Sequence, residues 1–334
     1  MSADPERFFP AARDRGRKPP RHAPNLADTA IFLLLAAILL ILTQSAAFAL
    51  AMGLHLFGKE PAEQLLREPR LLIPAMAASY LLTGAIAWAI FAALWHRPFL
   101  SGICWNAAAV RRLLSRLLAF GIALSVSVQL LSNYLPIPKA LPIDDFFRSP
   151  ADVWLVAVFG AFLAPVLEEL AFRGFLLPSL AWAWDWVAAR GRRAPVAATG
   201  ESGDAHQAAD GGLPVRGQIW TETPRPDFAD GPVAPGDPEA PRAATPAGRE
   251  WSVGALIASS ILTSIAFALL HADQLAHAWA PLAVLFCVSI VLCLVRVLTR
   301  SLAASALVHA AYNATIFTLM FFASDGFRHL DKIK

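Results

Sequence analysis

Ionisable residues are rare wherever this chain is apolar, so the few that occur there are the place to look for chemistry. Glu168, Glu169 and Arg173 lie in "LEELAFRG", directly after the uncharged run "VWLVAVFGAFLAPV". An ionisable group near a bilayer centre costs about 2.5–3.5 kcal/mol on insertion scales, so such residues are usually paired and functional. On a helix, Glu169 and Arg173 share a face and stand in the favourable order for an ion pair. Glu168 points about 100° round the helix from Glu169, which leaves it as the free carboxylate. A free carboxylate in a low-dielectric cleft is a candidate general base toward water. A structural Glu–Arg network joining two helices accounts for the same residues equally well.

Two further clusters sit at helical spacing. Phe267 and His271, in "FALLH", share a face, although a lone histidine there also fits the plain end of a span. His309 and Asn313, in "HAAYN", place two hydrogen-bond donors side by side, which suits a developing oxyanion or a metal-bound water. Interhelical hydrogen bonding is the plainer use of such a pair. Taken together, the three clusters supply a base for water and donors for a tetrahedral intermediate, the two requirements of peptide-bond hydrolysis.

The elements that must carry these groups are membrane helices. Of 334 residues, 57% are hydrophobic and 16% charged, against about 25% charged in soluble domains. Seven stretches, near 29–57, 71–95, 113–135, 151–172, 251–271, 280–298 and 301–323, are long enough to cross a bilayer core as helices. The expected fold is therefore an all-α polytopic transmembrane bundle of seven to eight spans. A helix unbroken from 151 to 190 would run about 60 Å, twice the core thickness, so Pro165 and Pro178 are expected to break or kink it.

Arg and Lys cluster in the N-terminal tail, in the second-to-third connection and after the fourth and sixth spans, which predicts a cytoplasmic N-terminus. Arg328, Lys332 and Lys334 dissent unless an eighth or re-entrant element exists. Residues 1–28 read as a disordered basic tail and 29–135 as accessory transmembrane helices. Residues 145–323 read as the catalytic helices. They are interrupted at 191–250 by a Pro- and Gly-rich segment too poor in apolar residues to order itself, a disordered cytoplasmic insertion.

Cys104, Cys287 and Cys293 are scattered and imply neither disulfide framework nor thiolate metal site. The net charge of +3 forms no basic patch, so the lipid bilayer and not nucleic acid is the expected partner. Serine and aspartyl intramembrane protease motifs are absent, as is HExxH.

The ordered set EExxxR (Glu168 to Arg173), FxxxH (Phe267 to His271) and HxxxN (His309 to Asn313) resembles the CAAX-protease and bacteriocin-processing (CPBP, or Abi) family of intramembrane proteases. The long 191–250 segment departs from the family's usually short connection. The resemblance implies a membrane endopeptidase in a bacterial plasma membrane, acting on a membrane-associated protein or peptide. It implies that Glu168 with His271 activates a water, that His309 and Asn313 stabilise the oxyanion, and that Glu169, Arg173 and Phe267 support the site. Family members are often called metalloproteases, so zinc held by Glu168, His271 and His309 is one implied version; direct polarisation of water by Glu and His is the other. Neither version names the substrate or requires it to be prenylated. Two readings outside proteolysis fit the same polar residues: a catalytically silent scaffold or immunity protein, and a proton-coupled transporter, against which no inverted repeat is visible.

Overall fold

Lipid supplies no hydrogen-bonding partners, so each apolar stretch closes its backbone bonds on itself as a helix. A computed structural model describes residues 24–58, 61–138, 140–191 and 251–330. The chain divides into one unit of Met1–Ala189 with Glu250–Lys334, and a second of Arg190–Arg249. The second unit lies almost wholly outside the described residues, and so do the expected insertion from residue 192 onward and the basic tail through residue 23.

Seven helices are long and apolar enough to cross a membrane: α1 (Leu26–Gly53), α2 (Pro69–Trp95), α3 (Ala107–Ser132), α4 (Pro150–Arg190), α5 (Val253–Leu270), α6 (Trp279–Thr299) and α7 (Leu302–Ala323). The chain is thus an all-helical integral membrane protein, with no strand and no eighth such helix among the described residues. Polar side chains fix where several helices begin. Asn25 caps α1 in a reciprocal box with Asp28, so this helix starts at Leu26, ahead of the expected 29. Asn106, Ser149, Ser252 and Ser301 cap α3, α4, α5 and α7 by accepting a bond from a first-turn backbone N–H.

The fourth helix differs most from expectation. It continues for 41 residues, and neither proline ends it. Widened π turns at Phe159–Leu163 and Leu170–Leu176 each immediately precede the α-helical turn that holds a proline. In them Ala164 N–H reaches the Phe159 carbonyl and Leu177 N–H the Phe172 carbonyl, five residues back. A proline has no N–H to give and its ring crowds the carbonyl four residues earlier; the wider turn accommodates it without breaking the helix.

Around α4, the helices pair as α1 with α2, α3 with α7, and α5 with α6. The central helix itself touches α1, α2, α5 and α7. Phe32 of α1 stacks on Phe175 of α4 at 4.4 Å between centroids, and Phe91 of α2 lies 4.8 Å from the same ring. This aromatic core fixes the two accessory helices to α4 just past the Glu–Arg motif. Across the bundle, α3 meets α7 at Gly121, where a Cβ would fall 2.7 Å from both Ala311 Cβ and the Val308 carbonyl oxygen. Glycine is required there because the two backbones meet beside His309.

Candidate functional site

The two adjacent glutamates face different surroundings. Glu169 is wholly buried and lies within a closed polar network. Arg173 Nη1 donates to Glu169 Oε1 at 2.8 Å, the pair whose residue spacing places both groups on one helix face. Arg173 Nη2 donates to the Ser289 carbonyl at 2.9 Å and to Ser289 Oγ at 2.7 Å. On the other side, Ser305 Oγ donates to Glu169 Oε2, and His309 Nδ1 lies 3.1 Å from Glu169 Oε1. Because a carboxylate only accepts, that nitrogen carries the proton. The network joins α4 to α6 and α7 with each charge compensated inside it.

Glu168 has no such compensation. Its side chain is 16% exposed, and its Oε2 lies 3.8 Å from His309 Nε2. That is beyond hydrogen-bond distance, so both atoms present their free capacity to the same space. Glu168 also lines a cavity of about 460 Å³ between α1, α2, α4 and α5. Its walls are mostly apolar, from Leu33, Leu40, Leu167, Phe172 and Leu270 among others. The cavity's polar groups are the carboxylate of Glu168 and the hydroxyls of Ser79, Tyr80 and Thr83 on α2.

Phe267 joins the three motifs. Its ring lies 4.8 Å from that of His271 and 5.9 Å, edge-on, from that of His309. Arg173 Cζ sits 4.9 Å over the Phe267 ring, within cation–π range. The guanidinium is therefore held by one carboxylate, one serine and an aromatic face. His271 caps the end of α5, and its Nδ1 donates to the Phe267 carbonyl at 2.8 Å. That bond fixes the tautomer and leaves Nε2 as an acceptor in the neutral ring. Asn313 lies one turn past His309 and gives an Nδ2 hydrogen to the Gly160 carbonyl at 2.7 Å, in the first π turn of α4. One amide hydrogen of Asn313 thus serves as an interhelical tie, and the other stays free.

Glu168, Glu169, Arg173, Phe267 and His309 therefore form one continuous cluster. His271 joins it through Phe267, and Asn313 is tied to α4. The three groups implied for zinc, Glu168, His271 and His309, do not converge: among the described residues no three His, Cys, Asp or Glu side chains are placed to share a metal ion. Ser289 and Ser305 complete the network. Ser305 lies four residues before His309 on the same helix face, a spacing legible in the sequence; Ser289 has no such mark, and only the packing of α6 on α4 assigns it.

The family model of type II CAAX prenyl endopeptidases, Rce1-like, matches residues 150–195 and 243–315. These two stretches contain all seven motif residues and omit the first three spans. Neither a curated protein nor a solved structure matches the chain. Over the matched residues the chain is similar to the Rce1-like family, and the resemblance to the CPBP family read from its three motifs is borne out.

Proposed function

We propose that this protein is an intramembrane endopeptidase that hydrolyses a peptide bond in a membrane-associated protein or peptide. One observation carries the reading. Glu168 is an uncompensated carboxylate that opens into an apolar cavity beside His309 Nε2, while its neighbour Glu169 is neutralised by Arg173. Glu168, assisted by His271, takes a proton from a water molecule as the water oxygen attacks the scissile carbonyl. The oxyanion so formed is met on α7 by the free amide hydrogen of Asn313, the Nδ1 hydrogen of His309 being held by Glu169. Glu168 then returns the proton to the leaving amine as the C–N bond breaks. No step is routed through zinc, since the candidate ligands do not meet. In this reading the N-terminus lies on the cytoplasmic side, on the distribution of Arg and Lys.

The match to an endopeptidase family over the motif-bearing residues supports this chemistry. So does the mostly apolar lining of the cavity, a low-dielectric setting in which electrostatic contacts are stronger than in water. The test is comparative terminal proteomics of membranes holding wild-type protein or Glu168→Ala at equal abundance. The proposal expects a new protein or peptide terminus with wild type and its uncut precursor with the variant. Identical termini in both membranes would sink it.

A further inference from the structure

We infer that Tyr80 is a further catalytic residue of this site, donating a hydrogen bond to the oxyanion from the α2 wall of the cavity. The inference rests on the proteolytic reading above and adds to it a helix that carries none of the three motifs.

The first observation is where the hydroxyls of α2 lie. Ser79, Tyr80 and Thr83 line the same cavity as Glu168, whose remaining lining is apolar. Ser79 and Thr83 are 1% and 3% exposed. Hydroxyls in membrane helices commonly bond back to the carbonyl four residues earlier, and Thr43, Ser132, Thr315 and Thr318 of this chain do so. Ser79, Tyr80 and Thr83 make no hydrogen bond to any described residue. Three unpartnered hydroxyls on one otherwise apolar wall leave their hydrogen-bonding capacity open to the cavity, a surface suited to a polar ligand.

The second observation is how the other donors are spent. His309 Nδ1 is given to Glu169, Arg173 to Glu169 and Ser289, His271 Nδ1 to Phe267, and one Asn313 hydrogen to Gly160. A tetrahedral oxyanion takes two or more donors. Tyr80 supplies one at the cavity itself. Its ring packs 5.3 Å from that of Phe159, in the first π turn of α4, which holds Tyr80 against the helix that carries Glu168. The phenol proton stays on its oxygen throughout: Tyr80 O–H donates to the carbonyl oxygen as negative charge develops there, and Glu168 handles the proton of the water. Ser79 and Thr83 bind the peptide backbone on either side of the scissile bond in both ground and transition states.

The probe is an internally quenched farnesylated peptide with a C-terminal CAAX sequence, assayed with the full chain in proteoliposomes. Tyr80→Phe removes one oxygen and keeps the ring contact with Phe159. The expected result is a fall in kcat of about 10²-fold or more with KM within about twofold and an unchanged thermal midpoint. Ser79→Ala and Thr83→Val are expected instead to raise KM about fivefold each, the size of one lost hydrogen bond. A Tyr80→Phe variant with kcat within about twofold of wild type, while Glu168→Gln is inactive, overturns this inference and leaves the proteolytic reading standing. Full cleavage by Glu168→Gln overturns the reading beneath it and this inference with it.

Discussion

Glu168 and Glu169 are neighbours in sequence and opposites in setting, and the difference separates what holds this protein together from what it does. On the Glu169 side each charge is compensated. The carboxylate meets Arg173, Ser305 and His309, and the guanidinium goes on to Ser289 and the face of Phe267. On the Glu168 side the carboxylate looks into a cavity walled by apolar residues and three unpartnered hydroxyls. A compensated buried charge ties helices together, whereas an uncompensated one is free to take and return a proton. About 100° of helix rotation produces both from adjacent residues.

The comparison can be broken most forcefully from the closed side. Arg173→Met leaves Glu169 buried without its cation, and its stability should fall by about 3–5 kcal/mol, read as thermal or denaturant unfolding of the purified protein. The double variant Glu169→Gln/Arg173→Met should recover part of that loss, because the unpaired charge is gone; a double variant as unstable as the single one would contradict the network. Ser305→Ala removes a hydrogen bond to a buried charge and should cost about 1.5–3 kcal/mol by the same unfolding measurement. Gly121→Ala forces a Cβ to within 2.7 Å of the Val308 carbonyl and Ala311, and should cost about 1–3 kcal/mol as overpacking. It should also lower activity, since Val308 precedes His309. The smallest effect is expected at a second pair of the same spacing. Asp273 and His277 lie 2.9 Å apart, but with side chains 95% and 71% exposed. Asp273→Asn should leave the unfolding midpoint unchanged, because exposed pairs contribute little.

Much of this arrangement is legible in the sequence. Hydropathy marks both ends of every span but the fourth to within a turn or two of helix, since a helix in lipid needs only length and apolarity. The four-residue spacing of Glu169 and Arg173 points to their pairing, and so to the isolation of Glu168. The true length of α4 is not legible. Beyond residue 172 the helix carries Trp182, Trp184, Asp185 and Trp186, which dilute its hydropathy. The two prolines look like breaks until the π turns ahead of them are seen. The partner Ser289, and the α2 hydroxyls that share the cavity with Glu168, are equally hidden, because contacts between helices leave no trace in the periodicity of either one. The implied zinc set shows the reverse limit. Three residues of ligand type in three motifs suggest a site that the packing of α4, α5 and α7 does not assemble.

The division of labour between the two glutamates is tested most directly by purified Glu168→Gln in proteoliposomes, with cleavage rate and thermal midpoint measured on the same sample. The account predicts a midpoint equal to wild type and a rate lower by about 10²–10⁴-fold, the usual contribution of a general base. A Glu168→Gln protein that stays folded and cleaves at the wild-type rate would contradict it.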